Sequence, residues 1–431
     1  MDYKIETLAV HAGQVPDSST LSRAVPVYRT TAYNFKSSKH AADLFALKES
    51  GNIYSRIMNP TNDILEKRLC ALEGGAGALA LSSGTAAIAF SILNILKAGD
   101  ELVSARNLYG GTYTLFDAIL PQYSITARFT DVNDFSAVEK SINEHTRALY
   151  IEAVGNPSLD VADIEGYAKI ARSHNIPLIV DSTFTPPPLL RPIDYGADIV
   201  IHSLSKWICG HGTAIGGAVI DAGKFDWSDP KFALYSEPDK GYHGLRFGRD
   251  LSGTGNPAFI TRLRTVGLRN MGPTLSPDSA WIFLQGLETL PLRMERHCSN
   301  AKAVAEFLKS HPGVEWVRYP GLEGDPSRRE AEKYLGIGCG GVVVFGPKGG
   351  YDKAVEIVDN IPLFSNLANV GDAKSLILHP ASTSHSQLGE RERLSAGVSS
   401  DLIRLSIGIE NKDDIICLLY TSPSPRDTER S

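Results

Sequence analysis

The chain of 431 residues carries a net charge of −6, with 42% apolar and 21% charged residues. That composition excludes wholesale disorder, and at about 150 residues per domain the length allows two to three domains. The acidic balance, the lack of a long basic run and the lack of a bilayer-length apolar run argue against nucleic acid and membrane as partners.

The opening stretch MDYKIETLAVHAG has neither a basic n-region nor a long apolar core, so no secretory signal is expected. Residues 1–60 are turn-rich. So long an irregular arm is expected to be functional or to reach a neighbouring subunit. From Thr61 the pattern becomes regular: a helix over 62–73, a strand at 78–81, then Ser82-Ser83-Gly84-Thr85 opening an apolar helix to Leu96. Strands are predicted at 101–104, 125–129, 148–154, 177–181, 197–202 and 216–220, with helices over 107–120, 134–143 and 163–174. This alternation predicts an α/β fold, a mostly parallel sheet with flanking helices, in a large domain over 61–290. Residues 222–275 are aromatic and irregular, and read as an insertion covering the site entrance or as a packed surface loop. A long helix bearing Leu284, Leu287, Leu290 and Leu292 is expected to cross to a smaller C-terminal α+β domain over 291–416. Beyond it the pattern predicts helices at 299–309 and 351–360, and strands near 314–318, 341–346, 375–379 and 402–408. Asp413-Asp414 starts a helix that Pro423 and Pro425 cannot continue, so 417–431 is expected to be a non-native tail.

Ligands of such sheets bind beyond the carboxyl ends of the strands. Ser83, Tyr109, Asn156, Asp181 and Lys206 all fall there. Lys206 follows an apolar run, where desolvation disfavours the ammonium form and leaves a nucleophilic amine. It reads as a Schiff-base lysine for a phosphorylated aldehyde, pyridoxal 5'-phosphate. The plain alternative is a solvated lysine at a strand end. Ser203 and Ser205 add hydroxyls beside it. Ser83-Gly84-Thr85 presents a helix N-terminus suited to phosphate, or simply an N-cap. Asp181 ends an apolar run, where a buried carboxylate needs a cation such as a protonated pyridine nitrogen, or is a capping or turn aspartate. Tyr109 is placed to stack on the ring and move protons, or is simply a packed tyrosine. Arg56 with Tyr54 offers a fork and a hydroxyl for phosphate, and Arg404 suits an amino-acid carboxylate. A structural ion pair is the alternative for both arginines. Asn156-Pro157 sets an amide at the cofactor's phenolic oxygen or makes a turn. His202, His211 and His379 lack metal-ligand spacing, so no metal is expected. The five scattered cysteines form no CxxC, which points to a reducing, cytoplasmic setting.

These residues sit in the runs ETLAVHAGQ, YSRIMNPT, SSGTAAI, NLYGGTY, EAVGNPS, VDSTFTPP, HSLSKWICGHG, HPASTSHSQL and LIRLSIGIE, in that order. On them the chain resembles the Cys/Met-metabolism family of pyridoxal-phosphate enzymes over residues 5–416. The resemblance implies fold type I, with Lys206 as the Schiff-base lysine, Asp181 on the ring nitrogen and Tyr109 on the ring face. It implies Gly84, Thr85, Ser203 and Ser205 at the phosphate and Asn156 at the cofactor oxygen. Tyr54 and Arg56 are implied at the phosphate of a neighbouring subunit, hence a homo-oligomer: a dimer with shared sites, assembled as a homotetramer. Arg404, with Ser382 close by, is implied for the substrate carboxylate.

The SRAVPVY opening, KWICGHGTAIGG and the insertion near 225–265 are similar to the members acting on O-acetyl-L-homoserine and sulfide. That implies γ-replacement to L-homocysteine and acetate, in methionine biosynthesis. Thr213 stands where methionine γ-lyase and cystathionine-type relatives tend to have aspartate. Their chemistry on the same site is the near alternative. A non-catalytic scaffold keeping the fold is the distant one, and the intact Lys206, Asp181 and Arg404 argue against it. No GxGxxG follows the first strand, which disfavours a nicotinamide enzyme.

Overall fold

In the computed structural model, residues 3–420 are described, except 256, 385, 387, 388 and 396. The first long helix, Pro60–Glu73, shows how local sequence sets an element. Asn59 caps it by accepting from the Thr61 amide at 2.9 Å, Pro60 opens it and Gly74 ends it at φ 73°. Its Leu65, Leu69 and Leu72 are buried on one face.

The large sheet contains β1 (Gly77–Leu81), β2 (Glu101–Ala105), β3 (Thr126–Thr130), β4 (Thr146–Glu152), β5 (Leu178–Asp181), β6 (Ile199–Ser203) and β7 (Gly217–Asp221). Their order is β1-β7-β6-β5-β4-β2-β3. β7 runs antiparallel to both its neighbours, and the other pairs are parallel. β5 and β7 are buried throughout, because helices cover both faces. A second sheet contains β8 (Val314–Arg318), β9 (Val342–Pro347), β10 (Ser365–Asn366), β11 (Leu376–Leu378) and β12 (Ile403–Ser406), in the order β10-β11-β12-β9-β8.

Several expectations change. The region 1–60 is not wholly irregular: it holds short helices at Ile5–His11 and Ser38–Phe45, the latter capped by Ser37. The helix expected over 107–120 starts at Gly110 and passes at Leu115 into a π-turn, then a 3₁₀ turn to Tyr123. The long crossing helix is two helices, Pro277–Glu288 and Leu290–Ser310, since Pro291 suits a first turn and not a helix interior. Leu292 is 68% exposed and lies off the apolar stripe. The second helix joins two cores, with Leu290, Met294 and Cys298 in the large one and Ala301, Val304 and Leu308 in the small one. Within 222–275, Trp227 stacks on Tyr235 and Phe259 at ring centroids of 4.4 and 5.4 Å, and all three are buried. The insertion is therefore a packed aromatic cluster. The last helix spans Lys412–Tyr420, with Leu419 in the small core, so order runs past 417. Residues 421–431 of the expected tail lie outside the described residues. No described helix is long and apolar enough to cross a membrane.

Candidate active site

The carboxyl ends of β4, β5 and β6, together with the helix that follows β1, surround a cavity of about 900 Å³. Lys206, Asp181, Tyr109, Asn156, Ser203, Ser205, Gly84, Thr85 and Arg404 all line it. None of the cavity's described lining residues comes from 222–275.

Lys206 is half-buried, and its Nζ donates to Asn369 Oδ1 at 2.6 Å. Burial, assisted by the Arg404 cation, draws its pKa down to about 8. Asp181 ends β5 and is 8% exposed. Its Oδ1 accepts from the Thr183 amide at 2.9 Å and its Oδ2 from the Tyr150 hydroxyl at 3.4 Å. Burial raises its pKa, because those neutral donors do not replace a counter-charge. Arg404, on β12, has its pKa pulled to about 10 by burial. It donates to Asn156 Oδ1 at 3.0 Å and to the Asn369 carbonyl at 3.2 Å, both neutral acceptors.

Ser83 caps the helix Gly84–Ile95 by accepting from the Ala86 amide at 3.0 Å, so its hydroxyl is used structurally. The amides of Gly84 and Thr85 remain at the helix N-terminus. β7 passes so close beneath this start that a Cβ on Gly217 would collide with the Ser83 carbonyl. Ser205 is also partly committed: its Oγ accepts from the Gly216 amide at 3.0 Å. Tyr109 is half-exposed at the cavity, and its ring lies back against Gly111, where a Cβ would stand 2.6 Å from Cε1.

Two lining residues that sequence reasoning missed, Glu152 and Asn369, bond directly to expected site residues. Glu152 ends β4, directly opposite Asp181, and accepts from the Tyr109 amide at 2.6 Å. Burial and then the Asp181 charge push its pKa well up. Two adjacent buried carboxylates resist joint ionisation, so a cation between them is favoured. Asn369 joins Lys206 and Arg404 from a segment without periodic pattern. The strand end of Glu152 was a readable signal, whereas Asn369 carried none.

Four expected residues, Tyr54, Arg56, Thr213 and Ser382, fall outside this chain's cavity. Arg56 donates to the Arg269 carbonyl and lies 5.2 Å over the Tyr54 ring. Ser382 pairs with His379 Nδ1 at 2.8 Å, while Ser384 lines the cavity. Thr213 contacts Cys209 Sγ at 3.5 Å. The three histidines serve separate bonds: His202 to Glu73 at 2.6 Å, His211 to the Cys209 carbonyl at 2.7 Å and His379 to Ser382. Among the described residues no group of acidic, histidine or cysteine side chains could hold a metal ion.

Residues 6–422 match the family described as Cys/Met metabolism PLP-dependent enzyme. The O-acetyl-L-homoserine sulfhydrylase of Leptospira meyeri is 52% identical over 96% of this chain and 95% of its own. The homocysteine synthase of Schizosaccharomyces pombe is 51% identical over 95% and 96%. A crystal structure from Campylobacter jejuni superposes with a TM-score of 0.94 at 42% identity, covering 97% of this chain and 99% of that one. That protein is a putative O-acetylhomoserine (thiol)-lyase with pyridoxyl-lysine phosphate at one position.

The cavity fits pyridoxal phosphate on its own terms. Asp181 and Glu152 offer buried negative charge to a ring cation. Gly84 and Thr85 offer a helix N-terminus beside the Ser203 side chain for a phosphate. Lys206 offers an amine that is easily neutral.

Proposed function

Because the chain belongs to the Cys/Met-metabolism family of pyridoxal-phosphate-dependent enzymes, we propose that it converts O-acetyl-L-homoserine and sulfide to L-homocysteine and acetate by γ-replacement. One observation carries this reading. Among the described residues, a readily neutral amine, a buried carboxylate with neutral hydrogen-bond donors and a buried guanidinium with neutral acceptors face the same cavity. An amino acid on this cofactor brings a partner for each of them. The names of the relatives at about half identity support the choice of substrate.

When bound, pyridoxal phosphate supplies an aldehyde for the substrate amine and a ring that takes up the charge left at Cα. Lys206 would hold the cofactor aldehyde and would move the protons at the substrate Cα and its neighbour. With a pKa of about 8 its amine is a competent base near neutral pH, and its ammonium a competent acid. Each such transfer is worth about 10²–10⁴-fold in rate. Asp181 would hold a protonated ring nitrogen, and Tyr109 would pack on the ring and share the proton work. Gly84, Thr85, Ser203 and Ser205 would hold the phosphate, and Asn156 the phenolic oxygen. Arg404 orients the substrate carboxylate with its two-pronged fork, giving up neutral acceptors for a charged one. Tyr54 and Arg56 serve the phosphate of a second copy, so the working unit is a homodimer within a homotetramer, placed in the cytoplasm. Ser382 supports the carboxylate pocket beside Arg404. The arm is taken as residues 1–60, the large domain as 61–290 and the small one as 291–416.

The test is direct. Purified protein given O-acetyl-L-homoserine and sulfide should release homocysteine. Ketobutyrate from methionine without homocysteine would assign γ-elimination instead. Borohydride should fix the cofactor on Lys206, and Lys206→Ala should lose the visible band. A colourless wild-type protein, unchanged by borohydride, would overturn the reading in favour of a scaffold.

A further inference from the structure

Arg293 lies in the first turns of the helix Leu290–Ser310 and is buried. No carboxylate pairs with it among the described residues, and burial pulls its pKa to about 10. A buried guanidinium without a counter-ion is costly unless its donors are well used. They converge on one place. Nη1 donates to the Trp207 carbonyl at 2.7 Å. Nη2 donates to the Ile208 carbonyl at 3.3 Å and to the Gly286 carbonyl at 2.6 Å. Nε donates to Thr289 Oγ1 at 3.2 Å.

Trp207 and Ile208 are the two residues after Lys206. The segment is a tight turn: the Cys209 amide donates to the Leu204 carbonyl at 2.9 Å and the Gly210 amide to the Lys206 carbonyl at 2.8 Å. The last carbonyls of such a turn have no partner within it, and a cation there meets the negative end of the peptide dipoles. Gly210 closes the turn at φ 72°, where a Cβ would strike the Arg293 guanidinium. On the other flank Gly371 presses on the same backbone. A Cβ there would stand 2.6 Å from the Trp207 nitrogen and 2.9 Å from the Lys206 carbonyl carbon. The main chain of Lys206 is therefore gripped from both sides.

We propose that Arg293 is a positioning residue for Lys206: by clamping the carbonyls of the two residues that follow, it fixes the turn from which the amine enters the cavity. Its catalytic consequence rests on the function proposed above, whereas the clamp acts on the cofactor-free protein as well. Arg404, Asp181, Glu152 and Tyr109 share the cavity with Lys206. Cys209 belongs to the turn itself, and His297 and Asp372 stand behind it. Arg293 is not in the cavity, so its removal leaves the charges facing the amine in place. What changes is access to water. A loosened turn hydrates the ammonium, and the pKa of Lys206 rises from about 8 toward its ordinary 10.5.

The test uses full-length Arg293→Met and Arg293→Lys. In cofactor-free protein, acetylation of Lys206 by acetic anhydride is followed by mass spectrometry against pH. The wild-type midpoint should lie near pH 8, with Arg293→Met at least one pH unit higher and Arg293→Lys between them. In the loaded enzyme Arg293→Met should lower kcat at least tenfold and leave KM for O-acetyl-L-homoserine within threefold. A folded Arg293→Met with an unchanged midpoint overturns the proposal. Should that variant not fold, Arg293→Lys decides: a rise of half a unit supports the clamp, and no rise overturns it. A wild-type Lys206 that titrates near pH 8 but never takes up pyridoxal phosphate refutes the proposed function alone, and the clamp is then judged on the midpoints.

Discussion

Replacing Asp181 by asparagine should move the stability of the empty protein and the function of the loaded one in opposite directions. Asp181 is buried, receives only neutral donors from Thr183 and Tyr150, and has its pKa raised by burial. Asparagine keeps a carbonyl oxygen for the Thr183 amide and removes the charge. A group whose folded pKa is raised gives stability that is complete below its unfolded value, near 3.8 here, and is lost as pH climbs through the folded value. The variant should therefore gain nothing at pH 4, and should gain about 1–3 kcal/mol over wild type at pH 8, the ordinary cost of an uncompensated buried polar group. With the cofactor bound the sign reverses. Removing one partner of a buried ion pair costs about 3–5 kcal/mol, or about 10²–10⁴-fold at 1.4 kcal/mol per decade. Thermal melts of both cofactor-free proteins at pH 4 and 8, with kcat of the loaded forms, make the comparison. An Asp181→Asn protein that melts no higher at pH 8 and keeps kcat within tenfold would refute the reasoning.

Arg404→Lys should raise KM for O-acetyl-L-homoserine by about 10–100-fold, because a point charge replaces a fork and a charge-assisted bond is worth about 1.5–3 kcal/mol; the check is steady-state kinetics, with kcat falling less than KM rises. Asp221 is fully buried and burial lifts its pKa to about 7 from 3.8. Its stabilising protonated form is complete below the unfolded value and lost as pH rises through 7. Asp221→Asn should then gain on wild type by about 1–3 kcal/mol between pH 5 and pH 8, read from denaturant midpoints at the two pH values.

Asp181 and Lys206 are legible in the sequence because each ends or follows a continuous apolar run, and in a parallel sheet the end of such a run is where ligands bind. The β–α alternation gives the large sheet for the same reason. Glu152 ends a run of the same kind, but its meaning depends on lying opposite Asp181, which only strand pairing reveals. Asn369 meets Lys206 across 163 residues of chain, from a segment with no period at all. Arg293 sits on a helix of ordinary amphipathic composition, where an arginine reads as solvated until its carbonyl partners are seen. Pro291 marks the break, since it suits a first turn and not a helix interior, while the leucine spacing runs on across it. Each aromatic residue of the insertion reads more readily as part of a packed loop than as cover, and the stacking of Trp227 on Tyr235 and Phe259 shows the packing. Tyr54 and Arg56 are proposed for a second copy, a relation that no pattern along one chain encodes.

The pairing of β1 with β7 has a consequence for how the protein is made. β1 launches the helix whose N-terminus faces the cavity, yet it is tied to the sheet through Gly77–Asp221 and Leu81–Gly217. Closing so long a loop is slow to be rewarded during folding, because its entropy is lost before the contacts form. No fragment ending before Asp221 has β7 to anchor that helix start. A growing chain thus carries β1 to β6 with their apolar faces incomplete until β7 is synthesised and inserts between the first strand and the sixth. The helix start that faces the cavity is therefore seated in the finished sheet only once β7 is in place.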